Sequence, residues 1–190
     1  MDISTYIWKS DYLQSIEYAQ IINIKRLWQV NSTVIVSSGK SASYKINYLL
    51  NIDENWNFKN AEIIVDKTGV KRNISIKIDS KGNWFINEEL HPDLKTCIDI
   101  DLGFTPLTNT LPIRRLNIKQ GQSSNISVAW IQFPSFDITP LLQQYTNVNN
   151  IEYIYESATD FKASILVNKF GFVTKYENYW YLIDSKVDET

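Results

Sequence analysis

Apolar and polar residues alternate at every second position over most of this 190-residue chain. In 72–78, R-N-I-S-I-K-I, the side chains of Ile74, Ile76 and Ile78 fall on one side of an extended backbone, and those of Asn73, Ser75 and Lys77 on the other. Successive side chains of a strand point to opposite faces, so this pattern predicts a half-buried strand. The same period predicts strands over 30–36, 42–50, 60–65, 84–86, 124–133, 151–156, 161–168, 173–176 and 179–183. Residues 10–19 fit a helix through Leu13 and Ile16, or a strand through Ile16 and Tyr18. The β-branched pair Ile21 and Ile22 that follows favours the strand. Gly39, Gly69, Gly82, Gly121 and Gly171 lie between strand-like runs, and D-K-T-G at 66–69 and D-S-K-G-N at 79–83 are hairpin turn signals.

One segment departs from period two. Within 105–117, Thr108, Asn109 and Thr110 are candidate helix N-caps, and Pro112 follows near the first turn, where a missing N–H is harmless. Leu111, Ile113, Leu116 and Ile118 spread over more than one face. That distribution suits a short helix enclosed by sheet. No linker, repeat or composition shift divides the chain. Residues 1–190 are therefore read as one mainly β domain of antiparallel strands, with a single helix near its middle.

Composition narrows the function classes. A hydrophobic share of 44% and a charged share of 21% are those of a soluble globular protein. A net charge of −2 without a basic run argues against nucleic-acid binding and against electrostatic docking on anionic membranes. No apolar run approaches the ~20 residues of a transmembrane helix. Residues 1–10 hold Asp2 and Lys9 and no apolar secretory core, so a cytoplasmic location is expected. Cys97, the only cysteine, allows no intrachain disulfide and fits a reducing compartment. With His91 as the only histidine, the usual zinc ligand set cannot be assembled, and no signature pairs the two as a nucleophilic dyad. Glycine-rich phosphate loops and βα alternation are both lacking, so no cofactor is expected.

The candidate chemistry gathers in 96–117, T-C-I-D-I-D-L-G-F-T-P-L-T-N-T-L-P-I-R-R-L-N. Asp99 and Asp101 are two apart on a strand and share a face. They could serve as an acid/base pair, or pair with Arg114 or Arg115. Adjacent arginines diverge by about 100° on a helix, so they cannot both line one narrow stripe. Ionised groups are costly to bury unpaired, which makes mutual neutralisation the leading reading and head-group binding the functional one. Tyr153 and Tyr155 share a strand face and suit either a β core or contact with a polar head group.

Residues 97–116, and T-N-T-L-P-I-R-R-L in particular, resemble the signature of the putative glycolipid-binding family of bacterial proteins. The segment around Trp8, Gln144-Tyr145-Thr146 after a Pro-containing strand, and Tyr153-Ile154-Tyr155-Glu156-Ser157 followed by Asp160-Phe161 extend the resemblance over nearly the whole chain. It implies a spiral β-roll, a long antiparallel sheet wrapped around a single central α-helix at 108–116. It also implies non-enzymatic binding of a glycolipid or other amphipathic lipid, with no catalytic residues to carry over. The candidate ligand-binding residues are then Asp99, Asp101, Asn109, Arg114, Arg115, Tyr153 and Tyr155. The alternatives are a carbohydrate-active hydrolase using the Asp pair, and a protein-interaction module using a strand edge or an aromatic patch.

Overall fold

A computed structural model of the chain describes residues 2–37 and 42–187; the expected turn at Gly39 lies outside them. Its strands join in one 15-stranded sheet. From β1 (Asp2–Ser10), seven strands follow as successive antiparallel neighbours toward one edge: β2 (Ser15–Ile24), β3 (Leu27–Ser37), β4 (Ser43–Asp53), β5 (Phe58–Lys67), β6 (Val70–Ile78), β7 (Trp84–Ile86) and β8 (Glu89–Leu90). The other flank of β1 pairs with the last strand, β15 (Trp180–Val187). Beyond it lie β14 (Val173–Tyr176), β13 (Lys162–Val167), β12 (Glu152–Ser157), β11 (Ile138–Asn147), β10 (Ser123–Ile131) and, at the opposite edge, β9 (Asp99–Leu102). The joining of first and last strands closes the chain at mid-sheet and leaves the motif segment at an edge.

β9 and β10 are parallel. A parallel pair cannot be joined by a tight turn and needs a crossover. Residues 103–122 supply it and contain the only α-helix among the described residues, α1 (Thr110–Leu116), entered through a 3-10 turn at Leu107–Asn109. Helix and crossover thus have one cause. Asn109 stands at the N-cap but in helical backbone and without a side-chain cap bond, because its amide is engaged elsewhere. Asn117 ends the helix at φ 43, a left-handed position that asparagine tolerates.

The core fills the inward faces of the strands. β4 shows the alternation clearly, with Tyr44, Ile46, Tyr48, Leu50 and Ile52 buried. A large apolar cluster joins β1–β7 to Leu102, Phe104, Leu107 and Leu111; a smaller one joins Ile113 and Ile118 to β10–β14. Two buried indoles tie backbone outside the strands adjacent to their own. The Trp8 indole donates to the Val173 carbonyl, and the Trp84 indole to the Cys97 carbonyl.

Two expectations change. Residues 10–19 are not one strand, because a turn at 11–14 separates β1 from β2. Inward-facing residues of β2 are Ser15, Glu17, Ala19 and Ile21, whereas Ile16 and Tyr18 face solvent. The helix is also shorter than 108–116, since its first turn is 3-10. No helix among the described residues is long and apolar enough to cross a membrane.

Candidate functional site

β9 and the crossover place their polar side chains at several distinct points of the interior. Asp99, fully buried, accepts a hydrogen bond on Oδ1 from Arg115 Nη1. Burial pushes the Asp99 carboxyl above the usual carboxylate range, against the pull of the guanidinium. Among the described residues Asp99 Oδ2 and Arg115 Nη2 find no hydrogen-bond partner, so this is a one-armed pair rather than a bidentate one.

Two residues on, Asp101 turns toward a cavity. Its Oδ2 accepts from Gln143 Nε2 at 2.6 Å, and its Oδ1 accepts from Thr108 Oγ1 at 3.4 Å. Burial raises its pKa to about 6, while Gln143 and Thr108 hold it down and the Asp99 charge pushes it further up. Asn109 completes this polar end: its Nδ2 donates to the Pro106 carbonyl, and its Oδ1 accepts from the Tyr145 hydroxyl at 2.8 Å.

The cavity encloses ≈ 420 Å³ and opens to solvent beside Tyr12. Asp101, Thr105 and Asn109 provide polar lining; Trp130, Leu141, Tyr155, Phe161 and Tyr176 are among the apolar and aromatic side chains around them. Tyr155 packs edge-to-face with Tyr145, Phe161 and Tyr176, at 5.2, 5.8 and 6.1 Å between ring centroids. Burial holds the Tyr155 and Tyr176 hydroxyls well above their usual range, so both stay neutral.

Gly103 lets the crossover leave β9 close against β10. A Cβ there would lie 3.0 Å from the Ile131 carbonyl oxygen and 3.2 Å from the Trp130 indole nitrogen. Gly103→Ala is expected to destabilise the protein by about 1–3 kcal/mol in chemical denaturation, because backbone on one side cannot yield. A shift in the Trp130 fluorescence of the folded variant would show that the cavity wall moves with it.

Of the residues singled out in the sequence, Asp101, Asn109 and Tyr155 therefore line the cavity. Asp99, Arg114, Arg115 and Tyr153 are absent from its lining. Arg114 lies over the Trp56 ring at 4.2 Å, with Trp28 and Phe172 nearby, and donates to the Phe170 carbonyl. The shared strand face predicted for the two acids does not bring both to one opening, because Arg115 holds Asp99. Hydrolysis by an Asp pair needs both in one cleft.

A second polar group was not anticipated. Glu17 on β2 is fully buried; its Oε1 accepts from the Tyr48 hydroxyl and from Ser32 Oγ at 2.7 Å, while Oε2 has no partner among the described residues. Burial lifts its pKa to about 7, while the nearby Thr105, Tyr48 and Ser32 hydroxyls hold it down. Tyr48 also meets Thr105 Oγ1 at 3.3 Å, and Thr105 lines the cavity. Glu17, Tyr48, Thr105 and Gln143 are functional candidates that only the three-dimensional arrangement brings forward.

Comparison with curated proteins finds no match. Among solved structures, a crystal structure of a DUF1089 family protein from Pseudomonas aeruginosa is similar, with a TM-score of 0.75 and 29% sequence identity, covering 84% of this chain and 88% of that one. The family model described as "Putative glycolipid-binding" matches residues 5–181, which takes in the whole cavity lining and the crossover, and the chain belongs to that family.

Proposed function

We propose that this protein is a non-enzymatic binder of an amphipathic lipid, a glycolipid or another lipid with a polar head. The half-open, largely aromatic cavity with Asp101, Thr105 and Asn109 carries this reading. Its volume lies within the range of small-ligand pockets, about 300–1,000 Å³, and such pockets combine apolar walls with few orienting polar groups. In this reading the sheet winds as a spiral β-roll around α1, forming one domain; the contact of Arg114 on α1 with Trp56, between β4 and β5, and the bond from Trp84 on β7 to the Cys97 carbonyl ahead of β9 support it. Asp99, Arg114, Arg115 and Tyr153 then shape the roll, while Asp101, Asn109 and Tyr155 meet the ligand. The buried thiol of Cys97 suits a cytoplasmic protein.

Protein purified without detergent is expected to release lipid on solvent extraction, detectable by mass spectrometry. It is also expected to bind a fluorescent acyl-chain probe. Leu141→Trp, which places a larger ring at the cavity wall, should weaken probe binding by about tenfold or more. Absence of both retained lipid and probe binding overturns the proposal, as does probe binding that ignores Leu141→Trp in a folded variant.

A further inference from the structure

Resting on the cavity as the ligand site, we infer that its polar end selects a cationic, ammonium-bearing head group over an anionic one. The charge inventory of the lining is one-sided. Asp101 is its only acid, and no lysine or arginine among the described residues lines it. The two arginines nearest in sequence are engaged elsewhere, Arg115 with Asp99 and Arg114 with Trp56 and the Phe170 carbonyl. A phosphate, sulfate or carboxylate entering here would meet a carboxylate and no counter-charge. In a partly dehydrated site that repulsion is poorly screened.

The walls reinforce the preference. Tyr155, Phe161, Tyr176 and Tyr179 contact one another at interplanar angles from 50° to 74°. Rings at such angles form a corner of π-faces, and the negative face of an aromatic ring attracts ammonium groups. Among the described residues Asp101 accepts from Gln143 and, at 3.4 Å, from Thr108, so its carboxylate retains acceptor capacity for an incoming N–H or for the field of a quaternary ammonium.

The charge of Asp101 makes the selectivity depend on pH. Its carboxyl, with a pKa near 6 in the free protein, is ionised at pH 8 and largely neutral at pH 5. The titratable groups that act on it are Asp99, held by Arg115, and the hydroxyls of Tyr145, Tyr155 and Tyr176, which remain neutral over this range. A bound cation favours the ionised form, so cation affinity rises from pH 5 to pH 8.

The test uses three dodecyl amphiphiles below their micelle concentrations, with trimethylammonium, maltoside or sulfate heads, each displacing the acyl-chain probe. The trimethylammonium compound is expected to compete about tenfold better than the maltoside at pH 8 and to lose that advantage at pH 5. The sulfate should be the poorest. Asp101→Asn, with folding checked by circular dichroism, should bring the trimethylammonium compound down to the maltoside's level. Equal competition by all three, or strongest competition by the sulfate, overturns the cation preference while leaving the cavity as a lipid site. Failure of every amphiphile and of the probe itself removes the underlying site instead.

Discussion

Glu17→Gln is expected to stabilise the protein above pH 7 and to change it little near pH 4. The Glu17 carboxyl titrates at about 7 in the folded chain, against 4.5 when unperturbed. The native state therefore binds this proton more tightly than the unfolded chain does. Stability from the neutral acid is fully present below the unfolded value and is lost as pH rises through the folded value. A difference of this size corresponds to about 3 kcal/mol. Gln keeps the shape and an oxygen acceptor for Tyr48 and Ser32 without an ionisation to penalise. Urea unfolding from pH 4 to 8.5 should show the wild-type protein weakening across the window from 4.5 to 7, with the variant falling much less. A residual slope should survive, because Asp101 and Asp99 are raised in the same direction. Asp53, held at about 2 with help from Lys59 and Asn57, acts oppositely and loses its contribution only in stronger acid. Parallel pH profiles for the two proteins would show that Glu17 is not a buried acid of this kind.

The route from Glu17 to the cavity runs through Tyr48 and Thr105. Ionisation of Glu17 puts a charge where β2, β4 and the crossover converge, one hydroxyl away from the cavity lining.

How much of this could be read from the chain depends on what each residue's role rests on. Strands with one apolar phase, such as β6 with Ile74 and Ile76 inward, declare themselves through alternation. β2 does not, because both phases carry apolar side chains. Ile16 and Tyr18 give an obvious stripe, yet each is 45% exposed, and the buried phase contains Ser15 and Glu17. A one-residue change of phase exchanges the two faces, and it puts Glu17 on the solvent side of the pattern. β1 is obscured in the same way, with buried Tyr6 and Trp8 on one phase and Ile3 and Ile7 on the other. The crossover was legible as a place of buried charge. Adjacent arginines had to diverge, but which one would find an acid and which one aromatic rings depends on Trp28, Trp56 and Phe172, far away in sequence. The cavity itself follows from the meeting of β9, β12, β14 and the turn before β2, and no local pattern encodes that meeting.

Removing one half of the buried ion pair should have the largest effect on stability. Arg115→Met is expected to cost about 3–5 kcal/mol at pH 8, because it leaves the carboxylate of fully buried Asp99 without its cation. The loss should be smaller at pH 5. Asp99 already sits above the usual carboxylate range while paired, and without Arg115 it is pushed higher still and takes up a proton instead of a counter-ion. Asp99→Asn combined with Arg115→Met should recover most of the loss at pH 8, since no charge is then buried at all. Full recovery would agree with the pair's incomplete geometry, in which Asp99 Oδ2 and Arg115 Nη2 lack hydrogen bonds among the described residues and the desolvation of both ions is only partly offset. The measurement is chemical denaturation of the two variants and the wild type at both pH values, alongside probe binding by whatever remains folded. A double variant that is stable and still binds the acyl-chain probe would separate the architectural acid, Asp99, from the one at the cavity, Asp101. A double variant that is stable but no longer binds would show that the pair orients the crossover for the ligand, and would move Asp99 and Arg115 from scaffold to site.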